Sequence, residues 1–468
     1  MILISCHTLY PVDADPIPGG GVLVDGTQIR ALGPGAELAR QFPEAQRLDY
    51  PDCVILPGLV NAHSHFDLSD LQGQVSYRGD FIDWIFQIGQ NRLKLAANPE
   101  KKAQIIAKNV DFACRASLAA GVTTVGDIGF RNQSLPHLAR SPIRKTCFGE
   151  IIGGAPEVNK WHGRIEKWVD DFRFSIFDFG LQNSHESRVA SHESEENSID
   201  FDSRLETRDS RLIKSKIQNP LVTAKPGEAG KSKIRLGLSP HAPYSTAGEL
   251  YQLAAQVAAA QGLAITTHLA ECPMEFDLLE NAAGPGVDYL KFWGRWEQFR
   301  CPRQRPLAWL AGMDLAGQKF LLAHVNYADE AEIASLARLG HSVVYCPRSH
   351  DFFRHPPHPF RSMLAAGINV CLGTDSLASN SSLSILDEMS YIHRACPGLP
   401  PDTLLRMATL NGATALGWGG LAGTITPGKQ ADLIALPTSG SSPNPLLDIL
   451  QSPPAPRLVM IAGRPVND

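Results

Sequence analysis

The middle of the chain alternates between short apolar runs, rich in β-branched residues, and longer segments whose apolar residues follow a helical spacing. Segments such as GELYQLAAQVAAAQ and DEAEIASLARLG repeat an apolar residue every three or four positions, as amphipathic helices do. Short apolar runs with helices between them predict a parallel sheet covered by helices. Eight strand and helix units favour an α/β fold, a closed (β/α)8 TIM barrel, although a doubly wound open sheet fits the same periodicity nearly as well. The eight runs are GLVNAHSH, GVTTVGDIG, KTCFGEII, IRLGLSPH, LAITTHLAE, KFLLAHVNY, HSVVYCPRS and INVCLGTDS.

The two ends of the chain carry a different pattern, in which short β-type runs are broken by Gly and Pro. In GGVLVDGTQIRALG, the pair Asp25 and Gly26 separates two alternating runs, which is a strong signal for a hairpin. Similar runs, ADLIAL and RLVMIAGRPV, return only near the other end. We therefore predict a small β-sandwich domain built from both termini. Its two parts are placed at residues 1–56 and 421–468, with the barrel at 57–420.

One segment, residues 179–232, fits neither pattern. It is rich in Ser, Glu, Asp and Arg and too poor in large apolar residues to form a core of its own. We predict a solvated polar insertion between the third and fourth barrel strands, with a functional lid as the alternative.

Charge and composition exclude two classes of partner. The formal net charge is −5, and no run of Lys and Arg could neutralise several successive phosphates, so nucleic acid is not expected as a partner. No stretch stays apolar for about 20 residues, and the opening MILISCHTLY lacks a positively charged leader region, so we expect a cytoplasmic protein without a membrane partner. The nine cysteines lack a C-x-x-C pair, which argues against a disulfide framework. We expect the partner to be a small-molecule substrate.

Candidate chemistry starts with His63 and His65 in GLVNAHSHFDLSD. Residues i and i+2 of a strand point to the same side, so both imidazoles can face one cation, although such a pair also occurs in packed cores. Side chains from separate strands of a barrel converge at its C-terminal end, where active sites lie. The coincidence of candidates at that end therefore predicts a metal site. Four more candidates end other predicted strands, namely His241, His268, His324 and Asp375.

These motifs, in their order and spacing, resemble the amidohydrolase superfamily. Within it, they are most similar to the chlorohydrolase and deaminase branch, which includes guanine, cytosine and S-adenosylhomocysteine deaminases. The resemblance covers nearly the whole chain except residues 179–232, and it implies a hydrolase acting on C–N bonds of cyclic amidines. It rests on PGLVNAHSHFDLS, SPHAPYS, HLAE, LAHVNY, GTDSLASN and GTITPGKQADLIAL.

The resemblance implies that His63, His65, His268 and Asp375 bind one divalent metal. Three imidazoles, one carboxylate and an open position suit catalytic zinc, and iron(II) accepts much the same ligands. Two-metal members of the superfamily usually carry a carboxylated lysine at the end of strand four. Here that strand ends in LGLSPH, and Lys233 precedes it at the wrong end. A mononuclear centre follows, with zinc expected and iron(II) left open.

The same resemblance implies the catalytic roles. Glu271 would contact the substrate as the proton shuttle, His324 would orient the attacking water, and Asp375 would take a proton from that water. His241 would face the substrate. In such a mechanism, hydroxide attacks the carbon bearing an exocyclic amine, Glu271 protonates the adjacent ring nitrogen, and ammonia leaves.

The substrate is less well defined by the motifs. HAPYS is similar to the strand-four segment of deaminases that act on adenine-type nucleosides, which implies such a nucleoside, for example aminodeoxyfutalosine. Dechlorination of a triazine-like ring, or deamination of a guanine- or cytosine-type base, would use the same groups and stays open. A catalytically inactive scaffold would have lost metal ligands, and none is missing. The sequence itself gives no oligomeric state, although homodimers are common in the families this chain resembles.

The predicted loop after strand seven, SHDFFRHPPHPF, carries His350, His355 and His358. Three histidines could hold a second metal, but the prolines favour an exposed loop instead. We therefore expect these histidines to be solvated and assign them no role.

Overall fold

The computed structural model describes residues 1–181, 233–439 and 444–466. From residue 182 onward, the polar insertion predicted at 179–232 lies outside the described residues, so its nature stays a prediction.

Strands and helices are numbered in chain order. The strands are β1 (Ile2–Leu9), β2 (Ile17–Pro18), β3 (Gly20–Asp25), β4 (Gln28–Pro34), β5 (Gln46–Pro57), β6 (Leu59–Ser64), β7 (Val122–Phe130), β8 (Arg144–Ile151), β9 (Ile234–Pro240), β10 (Ala264–Leu269), β11 (Leu321–His324), β12 (Ser342–Tyr345), β13 (Asn369–Leu372), β14 (Leu433–Pro437), β15 (Leu458–Ile461) and β16 (Arg464–Pro465). The helices are α1 (Gly35–Gln41), α2 (Phe81–Ala96), α3 (Pro99–Ala119), α4 (Leu135–Leu138), α5 (Val158–Leu181), α6 (Gly248–Gln261), α7 (Pro273–Asn281), α8 (Pro285–Phe292), α9 (Pro306–Ala311), α10 (Glu330–Leu339), α11 (Pro347–Phe352), α12 (Phe360–Ala365), α13 (Ile385–Ala395), α14 (Pro401–Ala408), α15 (Leu410–Ala415) and α16 (Pro445–Gln451). Across the described ranges, no helix combines the length and the apolar character needed to cross a bilayer.

Strands β6 to β13 form one parallel sheet in chain order, and each overlaps one of the eight predicted runs. Side chains along β6 and β8 are buried throughout, as in parallel sheets that are covered on both faces. The first and last strands meet where Ser64 and Asp375 form a parallel bridge. The amides of Thr374 and Asp375 both donate to the carbonyl oxygen of His63, over 3.2 and 3.1 Å. These bonds close the sheet, so the (β/α)8 barrel is confirmed and the open sheet is excluded.

The strands of the two termini form a second sheet, in the order β16-β15-β14-β5-β1-β3-β4, with β2 paired to β1. Strand β5 is parallel to β1 and antiparallel to β14, so the β-domain predicted from both ends of the chain is confirmed. The predicted hairpin joins β3 and β4. Gly26 has φ +59° in its turn, a backbone conformation that two-residue hairpins use and glycine adopts without strain. Apolar side chains from both termini share one core, which includes Ile4, Val22, Ile55 and Leu433.

A buried ion pair connects the barrel to the chain just before β14. The Nε and Nη2 atoms of Arg144 donate to the carboxylate of Asp432 over 2.9 and 3.2 Å. Both side chains are almost completely buried, at 1% and 2% exposure. The domain boundaries after residues 56 and 420 stay predictions, but Arg144 and Asp432 show how closely the two sheets are joined.

Candidate active site

The predicted site residues gather at the C-terminal end of the barrel. Each either ends a barrel strand or follows it within a few residues, because parallel strands bring their carboxyl ends to one side. The residues are His63 in β6, His65 after it, His241 after β9, His268 in β10, Glu271 after it, His324 in β11 and Asp375 after β13.

Three imidazoles and one carboxylate converge here. His63, His65 and His268 offer ring nitrogens that all lie within 4.8 Å of one another, and no other such group of three or more His, Cys, Asp or Glu residues occurs among the described residues. The Nε2 atoms of His65 and His268 are 3.3 Å apart, and Asp375 Oδ1 lies 3.8 Å from Nε2 of both His63 and His65. Tetrahedral zinc ligands are about 3.3 Å apart, given zinc–nitrogen bonds of about 2.0 Å. His63 Nε2 is also buried without a hydrogen-bond partner, so these residues fit a divalent metal.

Hydrogen bonds to the backbone orient two of the imidazoles. His268 Nδ1 donates to the carbonyl oxygen of His241 over 2.9 Å, and His65 is hydrogen-bonded to the backbone of Ile128. Such bonds fix the tautomer and leave the other nitrogen free to bind a metal. Burial, followed by the neighbouring imidazoles, lowers the pKa of His65 to about 4 and the pKa of His63 well below its ordinary value. Both rings are therefore neutral at pH 7, the form that binds metals.

The carboxylate of Asp375 is held by two serines that sequence reasoning did not identify. Ser349 Oγ and Ser379 Oγ donate to Asp375 Oδ2 over 2.7 and 2.8 Å, which leaves Oδ1 toward the histidines. Burial raises the pKa of Asp375, but the imidazoles of His324 and His65 and the Ser349 hydrogen bond outweigh burial. The pKa of Asp375 thus lies below its ordinary value, and the group is ionised at neutral pH. Both serines belong to segments quoted above, HSVVYCPRS and GTDSLASN, so only their contacts were missing from the sequence.

Glu271 lies next to His324 in the same cluster. Glu271 Oε1 is 3.4 Å from His324 Nε2, an atom that is buried without a hydrogen-bond partner. Burial raises the pKa of Glu271 well above its ordinary value, and the carboxyl groups of Asp375 and Glu275 raise it further. The amides of Ala270 and Glu271 donate to Glu275 over 2.9 and 3.2 Å, which anchors the loop that carries Glu271. Glu271 therefore favours its protonated form more strongly than an exposed glutamate does.

The backbone at this end of the barrel is strained. Four non-glycine residues in the loops after β10, β11 and β13 have positive φ values, a region that costs about 1 to 3 kcal/mol for such residues. All four are site residues or their direct neighbours, so the strained conformations are used to aim side chains into the site. The four are Ala270 (+50°), His324 (+72°), Val325 (+54°) and Asp375 (+60°).

His241 faces the mouth of the barrel beside a carboxyl group that the sequence did not single out. Its Nδ1 lies 2.6 Å from Ser245 Oγ, and that hydroxyl donates to the carbonyl of Ala242 over 3.1 Å. Ser245 must then accept from Nδ1, which leaves His241 Nε2 as an acceptor. This atom is 3.9 Å from Oε1 of Glu150, near the end of β8. The sequence offered one signal for Glu150, which is its position near the end of the third predicted strand, KTCFGEII.

Two of the three histidines of the segment SHDFFRHPPHPF are buried and His355 is half-buried, so the expectation that these histidines are solvated is wrong. His350 and His358 are only 9% and 8% exposed. The physical reason is that these histidine rings pack against other aromatic side chains, and the proline content of the segment gives no sign of such packing. The His358 ring stacks on Tyr345 at a centroid distance of 4.1 Å, and His355 Nδ1 is 2.8 Å from the Tyr327 hydroxyl.

The family comparison matches most of the chain. A model described as the Amidohydrolase family matches residues 54–466. A second one, described as the bacterial imidazolonepropionase-like composite domain, matches residues 20–45. The first match includes all of the predicted site residues.

Two similar proteins are named as deaminases. The aminodeoxyfutalosine deaminase of Deinococcus radiodurans is 28% identical over 89% of this chain and 85% of its own. The 5-methylthioadenosine/S-adenosylhomocysteine deaminase of Syntrophobacter fumaroxidans is 27% identical over 90% of this chain and 80% of its own. This chain therefore aligns with nearly their whole length.

Solved structures with lower identity share the fold. Helicobacter pylori aminofutalosine deaminase in complex with methylthio-coformycin has a TM-score of 0.77 at 20% identity and covers 100% of both chains. A mutant of the atrazine chlorohydrolase TrzN from Arthrobacter aurescens TC1, complexed with zinc and atraton, has a TM-score of 0.72 at 18% identity and covers 99% of this chain and 95% of its own.

Proposed function

This chain belongs to the amidohydrolase family, and we propose that it is a metal-dependent hydrolytic deaminase of an adenine-type nucleoside, such as aminodeoxyfutalosine. The observation that carries the proposal is the convergence of His63, His65, His268 and Asp375, with Glu271, whose pKa is raised, close to His324 in the same cluster. The names of the two similar deaminases support the adenine-type substrate.

We propose His63, His65, His268 and Asp375 as the metal ligands and zinc as the metal, since this donor set with an open position suits catalytic zinc. Iron(II) is the alternative, because it accepts the same donors. A divalent metal held there would supply a Lewis acid that makes water a useful nucleophile at neutral pH. The lowered pKa values of the imidazoles keep their lone pairs available at that pH.

The protein's own groups move the protons. Asp375, ionised at neutral pH, accepts a proton from the attacking water at Oδ1. Glu271 donates its proton to the ring nitrogen next to the reacting carbon, so negative charge does not accumulate on the ring. His324, whose Nε2 faces Glu271, orients the water. The proton held by Asp375 then goes to the amine and ammonia leaves, while the hydroxyl proton of the adduct returns to Glu271, which gives the ring carbonyl and restores both carboxyl groups.

A substrate panel with two readouts tests the proposal. Metal-loaded protein is assayed with adenosine, methylthioadenosine, S-adenosylhomocysteine, aminodeoxyfutalosine, guanine, cytosine, an aminotriazine and a chlorotriazine, and both ammonia and chloride are measured. We expect ammonia from the adenine-type nucleosides at rates above those for the free bases. Faster chloride release from the chlorotriazine would favour dechlorination instead. No release from any compound would overturn the proposal and favour an inactive scaffold.

A further inference from the structure

Glu388, in α13, is a carboxyl group to which the proposed reaction gives no role, although its side chain is completely buried, with an exposure of 0%. Burial of a carboxyl group costs free energy unless hydrogen bonds compensate for it, so the partners of Glu388 indicate its purpose. Its Oε2 accepts a hydrogen bond of 3.0 Å from the backbone amide of Arg348, and its Oε1 accepts one of 2.8 Å from Nδ2 of Asn380. One side chain of α13 thus fixes the two segments that follow β12 and β13.

Each of these two segments carries one of the serines that hold Asp375. Ser349 directly follows Arg348, and Ser379 directly precedes Asn380. Both serine hydroxyl groups donate to Oδ2 of Asp375, over 2.7 and 2.8 Å. The partners of the buried carboxyl group in α13 are therefore the direct chain neighbours of both donors.

The segment that carries Asp375 needs such support because its backbone is strained. Asp375 has a φ value of +60°, and unfavourable conformations of this kind persist only where the surrounding contacts hold them. Nδ2 of Asn380, which donates to Glu388, also donates to the carbonyl oxygen of Thr374 over 2.8 Å. Because Thr374 directly precedes Asp375, Asn380 connects the Glu388 carboxyl group to the backbone beside the proposed metal ligand.

We propose that Glu388 is a positioning residue that acts through Ser349 and Ser379 and keeps Asp375 Oδ1 directed at the proposed metal site. The inference rests on the proposed function and adds to it the residue that holds one ligand in place from a separate helix. Hydrogen bonds behind the ligands of a metal set its affinity, and their loss typically costs about 10- to 100-fold in metal affinity or activity. Glu388 should therefore affect metal binding although it is not a ligand.

The test replaces Glu388 with glutamine, which has the same shape but only one oxygen atom. Glu388→Gln can accept a hydrogen bond from the Arg348 amide or from Asn380, but not from both. The guanidinium group of Arg348 keeps an acidic partner, Asp387, at 3.6 Å. We expect Kd for zinc, measured by competition with a chelator, to rise about 10-fold. The visible spectrum of bound cobalt(II), which depends on the geometry of the ligands, should change as well.

A double-mutant cycle separates positioning from a general loss of stability. In the background Ser349→Ala/Ser379→Ala, Asp375 has already lost the two hydrogen bonds through which Glu388 would act. Glu388→Gln should raise Kd for zinc by less than about 3-fold in this background, because coupled residues are not additive. The same fold-rise in both backgrounds, or no rise in the wild-type background, would overturn the inference. Should Glu388→Gln fail to fold, Asn380→Ala takes its place in the same cycle, with the same expected results.

The control is Glu332→Gln, at another buried carboxyl group, in α10. Glu332 is 8% exposed, and its Oε2 accepts a hydrogen bond of 3.1 Å from the amide of Asp329. The control variant should lower the melting temperature and leave the zinc affinity and the cobalt spectrum unchanged. An equal loss of zinc affinity in Glu332→Gln and Glu388→Gln would contradict the positioning role.

Metal binding also separates this inference from the proposed reaction, because it needs no turnover. If the wild-type protein binds zinc but releases no ammonia from any nucleoside, the deaminase function fails, and the zinc affinities still decide the role of Glu388. If the wild-type protein binds no divalent metal, the proposed metal site fails first and the role of Glu388 fails with it.

Discussion

The imidazole of His358 donates a hydrogen bond of 2.7 Å from Nε2 to the backbone carbonyl oxygen of His324. His324 and the next residue, Val325, have φ values of +72° and +54°, which are unfavourable for residues with a side chain. The bond thus supports the strained turn that aims the His324 ring at Glu271. The stacking of His358 on Tyr345 fixes the donor in turn.

His358→Ala should therefore lower kcat while the metal content stays unchanged. We expect a decrease of about 10-fold, because small misplacements of a catalytic group reduce the rate strongly. His358→Gln, which retains a donor, should recover part of the loss. The measurements are kcat, KM and metal per chain.

His341 provides the matched control for His358. It is also buried, and its Nδ1 accepts a hydrogen bond of 3.1 Å from the amide of Phe320, at the opposite end of β11. His341→Ala should lower the melting temperature without lowering kcat. Equal losses of kcat in both variants would mean that His358 acts only through stability.

Glu271→Gln should abolish turnover and retain the metal. The raised pKa of Glu271 favours the protonated acid, and the amide of glutamine is too weakly acidic to replace it. General acid–base catalysis typically contributes about 100- to 10,000-fold, and a loss in that range is expected. Ammonia release and metal analysis check this, with Glu280→Gln, in the helix α7 that follows Glu271, as the control. A fully active Glu271→Gln would exclude the proton-shuttle role.

Removal of the metal should inactivate the protein and lower its melting temperature. Without a cation, His63 Nε2 is buried with no hydrogen-bond partner. A ligand that binds only the native state stabilises a protein by about 4 kcal/mol when its free concentration is a thousand times its Kd. The check is calorimetry and ammonia release after dialysis against a chelator, followed by addition of zinc or iron(II). Glu271→Gln should show the same change in melting temperature. A melting temperature that does not respond to metal would argue against the site.

The sequence was sufficient for the barrel and for the seven candidate site residues because both depend on local patterns. Each barrel strand is an apolar run, and His268 and Asp375 stand at strand ends, where the topology brings them together. The supporting contacts depend on packing between distant segments. Ser349 reaches Asp375 from another strand end, and the burial of His358 follows from its stacking on Tyr345. Neither relationship has a signal in local composition.

The ion pair between Arg144 and Asp432 predicts a large effect on stability. Both groups are buried, so removal of one leaves the other charge without compensation, which costs about 3 to 5 kcal/mol. Asp432→Ala should lower the free energy of unfolding by that amount in denaturant titrations. The exposed pair of Arg457 and Asp52, 2.7 Å apart, is the control, and Asp52→Ala should lower the free energy of unfolding much less, because water screens an exposed ion pair. Similar losses in the two variants would contradict a structural role for the buried pair.

Asp127, in β7, should make the stability of the protein depend on pH. Its Oδ1 accepts a hydrogen bond of 2.8 Å from the amide of Phe66, and its Oδ2 is buried without a partner. Burial, followed by the carboxyl group of Asp67, raises its pKa from 3.8 to about 7. Between these pH values the native state binds a proton that the unfolded chain has released. The stabilisation is therefore complete below about pH 4 and is lost as the pH rises through about 7.

Asp127→Asn keeps the acceptor for Phe66 but cannot ionise, so it should lack this decline in stability. The free energy of unfolding of the variant, relative to wild type, should rise with pH by up to about 4 kcal/mol between pH 4 and 7. Urea titrations at several pH values measure the difference. Asp25→Asn, at an exposed position in the terminal sheet, is the control and should show little change. If the difference between Asp127→Asn and wild type is the same at pH 4 and pH 7, the buried proton on Asp127 is excluded, because no other substitution separates the two proteins.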